Sequence, residues 1–396
     1  MRLLQVFNRY VHMGGEEKSV DRIYRHLEGE HEMRRCFFDS RDWKTDGAPG
    51  KVSQLRRTLY NRDSRVRFDR ACDEFRPNAA LFHNVFPVGS PSVYHAAHQR
   101  KLPVIHYIHN FRPFSVGGTL YSRGGFLEEA LRGDYLREIR QGAWQESRLK
   151  SAVMALVLRR LHRSGWLDCV KAWVCISDFL RDKLVQGAGL PPDRVFALRH
   201  SWDAMPEAPV ADDGGYYLFL GRLVEVKGLE TLLQAWNVLE EKLGERTPEL
   251  WIAGEGPLDE MISAAATWMP KVRHLGLIGG ELKHEAIRRC RAMLAPSLWW
   301  EPLGLVTYEA YDFAKPMLAA RSGGLSETVV DGTTGFLHEP GSVGSLVESV
   351  LKLEAMSPDA RAGMGAAGRR WLLANADPEE WQRRFEAVLK VAITGH

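Results

Sequence analysis

The chain has 396 residues and a net charge of only +3, with 45% hydrophobic and 26% charged residues. This balance excludes a disordered or collagenous chain and predicts no nucleic-acid partner, while the length exceeds one ordinary core and predicts at least two domains. The five cysteines form no C-x-x-C pair, which excludes a disulfide scaffold and favours reduced thiols in the cytoplasm.

The first half alternates short apolar runs with amphipathic helical patterns, as parallel α/β domains do. Buried strands are predicted at Leu3–Phe7, Ala79–Phe82, Val104–Ile108 and Ala172–Ile176. After the first strand, Val20, Ile23, Tyr24 and Leu27 have the spacing of one apolar helix stripe. The opening run is too short for a signal peptide, and no run reaches the roughly 20 apolar residues that cross a bilayer.

The second half restarts the same alternation. Strands are predicted at Tyr216–Leu220, Glu249–Ala253, Ala292–Ala295 and Pro316–Ala320, with a helix stripe from Leu229 to Leu239 after the first. The segment Met205–Gly215 is rich in Pro, Gly, Ala and acids, so we place the interdomain linker there. A last helix is predicted from Pro378 to Ala392.

Charge is divided unevenly between the halves. Residues 1–200 hold 34 Lys+Arg against 22 Asp+Glu, whereas residues 201–396 hold 19 against 28. The densest basic stretch spans residues 51–70. A solvated helix face is the simpler explanation. The alternative is a surface that meets an acidic acceptor or an anionic leaflet, which would attach the protein peripherally to the inner face of the membrane.

The most informative motif runs from Ser297 to Ala310, between a predicted strand and a predicted helix. Gly304 opens the helix, and its first free N–H groups would form an anion and hydroxyl site at the carboxyl ends of the strands. Glu301 precedes the helix and Glu309 lies within it; eight residues of helix span roughly 12 Å. We therefore expect the two carboxylates to bind separate hydroxyl-bearing parts of one extended ligand, not to form an acid/base pair.

Two further loops follow predicted strands. In Gly221–Gly228, Arg222 and Lys227 are five residues apart, which suits a diphosphate held by a guanidinium fork and a point charge. Gly14 and Gly15 follow the first strand, where glycine lets the backbone approach a phosphate. Such a pair alone is more often only a tight turn.

His109 falls at the carboxyl end of a predicted strand, where it can donate to a ligand hydroxyl or hold a developing charge. His106 lies within the strand and is expected to be structural. Asp212 and Asp213 are expected to be solvated. The chain has no Asp-x-Asp and no Cys/His cluster with metal-ligand spacing, so we expect neither a metal nor another cofactor.

Taken together, these motifs resemble glycosyltransferase family 4, the group-1 glycosyltransferases of GT-B fold. The matching pieces are GGE at 14–16, IHNFR at 108–112, CISDFL at 175–180, SWD at 201–203, GRLVEVKG at 221–228, GEGP at 254–257, E-x7-E at 301–309 and RSGGLSE at 321–327. They span nearly the whole chain. Of these pieces, the E-x7-E block following the GR…KG loop is the one specific to the family.

The resemblance implies two Rossmann-like domains that face each other across a cleft. Residues 1–205 would bind the acceptor, residues 206–376 would bind the nucleotide-sugar, and a helix at 377–396 would cross back to the first domain. It also implies a retaining, metal-independent hexosyltransferase that uses a UDP- or GDP-sugar.

Site roles are implied as well. Glu309 would bind the ribose hydroxyls, and Glu301 would face the donor sugar. Arg222 and Lys227 would hold the diphosphate. The backbone of Leu303, Gly304 and Leu305 would also contact the donor, and the base would lie near Leu277 and Ile278. Gly14 and Gly15 would close over the phosphates, and His109 would contact the donor sugar.

The sequence departs from the family at three places near the expected cleft: Pro113–Gly118, where relatives often have a cysteine, His200–Asp203 in place of Asn-Pro-Val-Asp, and the bulky pair Trp299-Trp300. The sugar and acceptor therefore cannot be carried over. A bacterial polysaccharide or lipid-linked glycan is our hypothesis for the acceptor. The alternative functions are a GT-B-fold epimerase or phosphorylase and a non-catalytic nucleotide-binding scaffold.

Overall fold

The computed structural model describes residues 1–11, 14–207 and 212–395. The chain forms two compact units. Unit 1 comprises Met1–Ser201 and Pro378–His396, and unit 2 comprises Trp202–Asp377. Within the described ranges, no helix is both long and apolar enough to cross a membrane.

Unit 1 is built on a six-stranded sheet. Its strands are β1 (Arg2–Arg9), β2 (Glu32–Asp39), β3 (Ala79–Phe82), β4 (Val104–Ile108), β7 (Val170–Cys175) and β8 (Val195–Ala197), while β5 (Tyr121–Ser122) and β6 (Gly125–Phe126) form a separate hairpin. Its first seven helices are α1 (Gly15–Leu27), α2 (Lys51–Leu59), α3 (Arg62–Phe75), α4 (Ser92–Gln99), α5 (Leu136–Gln141), α6 (Arg148–Arg163) and α7 (Asp178–Ala188).

The unit 1 sheet has the order β2-β1-β3-β4-β7-β8, and every neighbouring pair is parallel. β3 and β4 are buried along their whole length, as expected when crossover segments cover both faces of a parallel sheet. The order reverses between β1 and β3. In open α/β sheets such a switch point, at the carboxyl ends of the strands, is where ligands bind.

Unit 2 repeats this architecture. Its strands are β9 (Tyr216–Leu220), β10 (Glu249–Ala253), β11 (Val272–Gly276), β12 (Ala292–Ala295), β13 (Met317–Ala320) and β14 (Gly335–His338). Its helices are α8 (Leu229–Leu243), α9 (Asp259–Trp268), α10 (Gly280–Arg289), α11 (Leu305–Asp312), α12 (Leu325–Thr328), α13 (Val343–Glu354) and α14 (Pro358–Asn375).

The unit 2 sheet has the order β11-β10-β9-β12-β13-β14, again with parallel neighbours. Leu232, Trp236 and Leu239 of α8 are buried against this sheet, which explains the apolar stripe in the sequence. The strand order is that of a doubly wound nucleotide-binding fold, and it reverses between β9 and β12.

The last helix, α15 (Pro378–Thr394), belongs to unit 1 although it follows unit 2 in the sequence. Trp381 and Phe385 are buried, and Trp381 Nε1 donates to the Tyr107 hydroxyl at 3.1 Å. Glu386 contacts His31 at 2.5 Å. The expected return of the C-terminal helix to the first domain is therefore confirmed.

The passage from unit 1 to unit 2 lies before the predicted linker. The Asp312 carboxylate accepts hydrogen bonds from Trp202 Nε1 at 3.0 Å and from the backbone N–H of Met205 at 2.9 Å. Arg369 pairs with the same carboxylate at 2.9 Å. Because these bonds attach Met205 to unit 2, the chain leaves unit 1 after Ser201. Residues 208–211 of the predicted linker lie outside the described residues.

Candidate functional site

Two loops meet at the switch point of unit 2. Residues 221–228 follow β9 and residues 296–304 follow β12. Gly228 has a φ of +74°, and a Cβ atom there would lie 1.9 Å from the carbonyl oxygen of Pro296. Only glycine permits both that φ and that approach. The strand order of unit 2 and Gly228 therefore bring together the two most informative motifs of the sequence, residues 221–228 and 297–310.

Lys227 and Glu301 form an ion pair between these loops. Lys227 Nζ donates to Glu301 Oε1, which also accepts from Ser297 Oγ at 2.7 Å and from Trp299 Nε1 at 2.9 Å. The ammonium lies 5.8 Å from the centre of the Trp299 ring. The Glu301 side chain is 8% exposed and that of Lys227 is 22% exposed, so the carboxylate is enclosed while the lysine still reaches solvent.

Two opposed effects set the pKa of Glu301. Burial raises it, but the charge of Lys227 and the hydrogen bonds from Lys227, Ser297 and Trp299 bring the net pKa below its usual value. Glu301 is therefore ionised at neutral pH. All three donors bind Oε1, which leaves Oε2 without a hydrogen bond from the described residues and able to accept one from a ligand hydroxyl.

Helix α11 begins four residues after Glu301. Gly304 is its N-cap with a φ of +89°, and no side chain caps the helix. The first backbone N–H groups, starting at Leu305, therefore remain free to bind an anion at the positive end of the helix. Leu303 is only 1% exposed as a whole residue, so neither its side chain nor its backbone is open to solvent.

Glu309 has a partner that the sequence analysis missed. Lys283 Nζ donates to Glu309 Oε1 at 2.7 Å, and the two side chains are 20% and 22% exposed. Lys283 lies in the first turn of α10, shortly after β11 ends at the same edge of the sheet. The position of Lys283 after the end of β11 was the signal in the sequence that could have identified it. Glu309 thus presents a carboxylate that a cation already orients.

Arg222 is exposed, and it forms no ion pair or side-chain hydrogen bond within the part of the chain that the structure describes. Its loop rests on the turn that follows β10, because Gly221 N–H donates to the Ala253 carbonyl at 3.0 Å. A Cβ atom at Gly254 would lie 1.8 Å from the Gly221 carbonyl oxygen. The weak GEGP motif therefore shapes the Arg222 loop.

The site predicted for the base lies at the same sheet edge. Leu277 and Ile278 follow β11 directly. Leu277 is 70% exposed and Ile278 is half-buried, so the pair offers an apolar surface beside the polar groups. All the residues predicted for unit 2 thus follow strand ends on one edge, or lie on the helix that starts there.

Asp212 and Asp213 are exposed, as expected, and both form ion pairs at the surface. Asp213 contacts Arg291 at 3.0 Å and Arg361 at 3.1 Å, and Asp212 contacts Arg289 at 3.2 Å. Among residues 1–11, 14–207 and 212–395, no three His, Cys, Asp or Glu side chains are grouped so that they can hold a metal ion.

Gly14, Gly15 and His109 belong to unit 1. Gly14 precedes α1 with an extended backbone, a φ of −127° and open space around it, so it leaves the backbone accessible. Gly15 is the first residue of α1. His109 follows β4, is 8% exposed and lies in a cluster of stacked rings with Tyr107 and His200.

His109 is the centre of a chain of hydrogen bonds. His83 Nδ1 lies 2.8 Å from His109 Nε2, and His109 Nδ1 lies 3.3 Å from His200 Nε2. At the other end, Gln5 Nε2 lies 3.1 Å from His83 Nε2 and donates to the Val20 carbonyl at 2.8 Å. Burial lowers the pKa of His109 to about 3 and those of His83 and His200 well below their usual value, so all three rings are neutral.

These contacts fix the tautomers. The Val20 carbonyl only accepts, so the Gln5 atom that faces it is the amide NH2, and its second hydrogen goes to His83 Nε2. A neutral His83 must then carry its proton on Nδ1 and donate to His109, which in turn donates from Nδ1 to His200. Both nitrogens of His109 are thus engaged within unit 1, and a hydrogen bond from this ring to a sugar requires one of these bonds to open.

Comparison with known proteins finds similarity in the second half of the chain. Residues 201–371 match the family model described as glycosyl transferases group 1. A GDP-mannose-dependent alpha-(1-6)-phosphatidylinositol monomannoside mannosyltransferase of Mycolicibacterium smegmatis is 35% identical over 174 residues, 42% of this chain and 44% of the relative. An alpha-D-kanosaminyltransferase of Streptomyces kanamyceticus is 28% identical over 199 residues, 46% and 50% of the two chains. The chain thus covers about half the length of these curated relatives.

Solved structures match the whole chain. Anabaena Alr3699/HepE in complex with UDP has a TM-score of 0.68 at 16% identity and covers 98% of this chain and 100% of its own. The sucrose-phosphate synthase of Thermosynechococcus elongatus has a TM-score of 0.70 at 14% identity and covers 100% of both chains. These likenesses show the fold: two Rossmann-like domains of the GT-B class.

The tautomers of the histidine chain are open to measurement. We expect His83, His109 and His200 each to carry the proton on Nδ1 and to stay neutral as the pH falls to about 5, because burial keeps their pKa values low. Long-range ¹H–¹⁵N correlation spectra report both properties, and His83→Gln, His109→Gln and His200→Gln assign the signals. A proton on Nε2 of His109, or an imidazolium form near neutral pH, would contradict the arrangement.

Proposed function

We propose that this chain is a retaining glycosyltransferase that moves a hexose from a UDP- or GDP-sugar to a hydroxyl acceptor. The observation that carries the proposal is the Lys227–Glu301 pair beside the free start of α11, at the switch point of unit 2. The match of residues 201–371 to the group-1 family model supports it, since that range includes this whole site.

Each group at this sheet edge suits one part of a nucleotide-sugar. Lys227, Arg222 and the N–H groups at Leu305 offer positive charge and donors to the diphosphate. Glu301 Oε2 accepts from a sugar hydroxyl, with the backbone of Leu303 and Gly304 beside it. In the same proposal Glu309 binds the ribose, Ile278 meets the base, and Gly14, Gly15 and His109 contribute from unit 1.

The chemistry follows from where charge develops. The bond between the anomeric carbon and the diphosphate oxygen breaks, and the acceptor oxygen bonds to the same face of that carbon. The acceptor proton passes to the leaving phosphate oxygen. Negative charge therefore grows on the diphosphate, where Arg222 and Lys227 bind the transition state more strongly than the ground state. We propose that these two cations replace a metal ion, so that transfer needs no cofactor.

The relatives suggest which substrates to try first. The Mycolicibacterium protein is named for GDP-mannose and a mannosylated phosphatidylinositol, whereas HepE was solved with UDP. We therefore propose a nucleoside-diphosphate hexose as donor, with UDP and GDP both to be tested. A bacterial polysaccharide or lipid-linked glycan remains our proposal for the acceptor.

We also propose that unit 1 meets an anionic leaflet peripherally. A surface hollow between α2 and α6, here called the basic hollow, is lined by Leu59, Tyr60, Leu156, Arg159, Arg160 and Arg163. Leu156 is 54% exposed, so the hollow combines an exposed apolar side chain with three arginines. Such a surface suits the boundary between acyl chains and acidic headgroups.

Replacing Lys227 tests the diphosphate role. We expect Lys227→Ala to lower turnover by about 100-fold or more, because one charge that stabilises the leaving group is lost, and to weaken UDP or GDP binding. Calorimetry and nucleoside-diphosphate release are the measurements. Lys242→Ala, an exposed lysine of α8, is the matched control, and thermal unfolding checks the fold. Equal activity in both variants would remove the site assignment.

Metal dependence separates this proposal from a metal-assisted transferase. We expect the rate to be unchanged by excess EDTA, because the side chains of Arg222 and Lys227 supply the positive charge. The assay compares EDTA-treated enzyme with enzyme supplied with Mg²⁺ or Mn²⁺. Loss of activity in EDTA that either ion restores would contradict the proposal.

Vesicle sedimentation tests the membrane contact. We expect binding to vesicles that contain phosphatidylglycerol and none to pure phosphatidylcholine, with loss in high salt. Arg159→Glu/Arg163→Glu should weaken binding by about tenfold or more, since each arginine near an anionic surface contributes about 1 kcal/mol. Arg132→Glu, at an exposed arginine outside the basic hollow, is the control. Equal binding by all three proteins would reject this surface.

A further inference from the structure

Residues 109–118 form a loop after β4, at the carboxyl edge of the unit 1 sheet, which is where ligands bind in parallel α/β domains. The stretch Pro113–Gly118 is one of the three places at which the sequence departs from the family that it resembles. The loop closes on itself, because the backbone N–H of Phe111 donates to the Gly118 carbonyl at 3.2 Å and that of Phe114 donates to the Phe111 carbonyl at 2.9 Å.

Glu138 of α5 anchors this loop. Its Oε1 atom accepts from Ser115 Oγ at 2.6 Å and from the Gly117 N–H at 3.1 Å, and its Oε2 atom accepts from the Val116 N–H at 3.0 Å. Ser115 Oγ in turn accepts from the Gly118 N–H at 3.0 Å. Glu138 is 1% exposed, so it serves the loop and not a ligand, and it fixes the conformation of residues 115–118.

The Arg112 side chain lies over the end of this loop. A Cβ atom at Gly118 would lie 3.3 Å from Arg112 Nη2 and 3.4 Å from its Cζ atom, and the φ of Gly118 is +78°. Any other residue would be strained there and would press on the guanidinium. Asn110 Oδ1 accepts from the Arg112 backbone N–H at 2.9 Å. The loop therefore holds both the backbone and the side chain of Arg112.

No acceptor satisfies the Arg112 guanidinium. The residue is half-buried, and its Nε atom is closed to water and has no hydrogen-bond partner. Within the residues that the structure describes, its two Nη atoms also form no hydrogen bond or ion pair, but unlike Nε they are open to solvent. The half-buried Arg181 and Arg199 of unit 1 both pair with Asp178. A half-buried cation without such a pair is costly, and an anionic ligand would balance it.

Glu16 is the carboxylate on which the charge of Arg112 acts, yet it does not neutralise this charge. No ion pair joins the two side chains in the part of the chain that the structure describes, and Glu16 Oε2 instead accepts from the Tyr10 hydroxyl at 2.7 Å and from Asn110 Nδ2 at 3.0 Å. Burial also raises the pKa of Glu16 to about 7, so this carboxylate is only partly ionised at neutral pH. The charge of Arg112 remains available to an anion from outside the chain.

The form of the guanidinium selects the ligand class. Its two Nη atoms match the paired oxygens of a carboxylate or a phosphate, whereas a cation is repelled and a neutral hydroxyl leaves the charge unbalanced. In the proposed function the donor diphosphate already has Arg222 and Lys227 of unit 2. An acidic group on the acceptor is the remaining oxyanion of the reaction.

We propose that Arg112 binds an anionic group of the acceptor, either a carboxylate or a phosphate ester. The inference rests on the proposed transferase function, and it narrows the acceptor to an acidic glycan. Uronic acids and sugar phosphates are the two kinds of acceptor unit with this chemistry.

Saturation-transfer NMR of the full-length protein tests this with glucuronate, mannose 6-phosphate and the neutral methyl α-D-mannopyranoside as probes. We expect the wild type to bind at least one anionic probe more tightly than the neutral one, with the preference reduced in high salt. Arg112→Gln should bind that anionic probe about fivefold or more weakly, because charge-assisted hydrogen bonds are lost. Arg132→Gln removes the same charge from an exposed position and should leave binding unchanged.

Two results would overturn the Arg112 proposal. One is a wild type that prefers neither anionic probe to the neutral one, which does not depend on how the variant folds. The other is equal affinity of the wild type and Arg112→Gln for the anionic probes, with thermal unfolding as the check that the variant is folded.

UDP and GDP, recorded in the same samples, report on the proposed function. We expect at least one nucleotide to bind the wild type and Arg112→Gln equally well, and binding of neither to the wild type would count against the nucleotide-sugar site in unit 2. A nucleotide affinity that falls in Arg112→Gln together with that for the anionic probe would assign Arg112 to the donor and overturn its role in acceptor binding.

Discussion

The contact between an ammonium and an enclosed carboxylate, Lys227 with Glu301, is the interaction on which the account depends. It needs a lysine from the loop after β9 and a glutamate from the loop after β12, and the strand order of unit 2 makes those loops neighbours. Gly228 lets the two backbones approach. The bond keeps Glu301 ionised with one oxygen free, and it leaves the lysine near solvent beside the uncapped start of α11.

The hydrophobic pattern of the sequence predicted the interior strands of both sheets but missed the edge strands. The eight strands predicted from the sequence correspond to β1, β3, β4, β7, β9, β10, β12 and β13, all of which have a neighbour on each side. The four strands of these two sheets that were missed, β2, β8, β11 and β14, are the edges. β2 and β11 carry exposed charged residues, as in Glu32–Asp39, whereas β8 and β14 are short and only partly buried. None of the four therefore has the continuous buried apolar run that identifies an interior strand.

The site was predictable where residues lie close in sequence to a strand end, and not where they meet only in space. Arg222, Lys227 and Glu301 follow strands directly, and the pattern predicted their chemistry. Lys283 reaches Glu309 from another helix, and His83 and His200 reach His109 from other strand ends.

A crystal structure of the chain with UDP or GDP bound tests the central claim most directly. The account predicts the β-phosphate within hydrogen-bonding distance of Lys227 Nζ and of the first N–H groups of α11, with the ribose hydroxyls on Glu309. A nucleotide bound with its diphosphate away from Lys227, Arg222 and the start of α11 would contradict it.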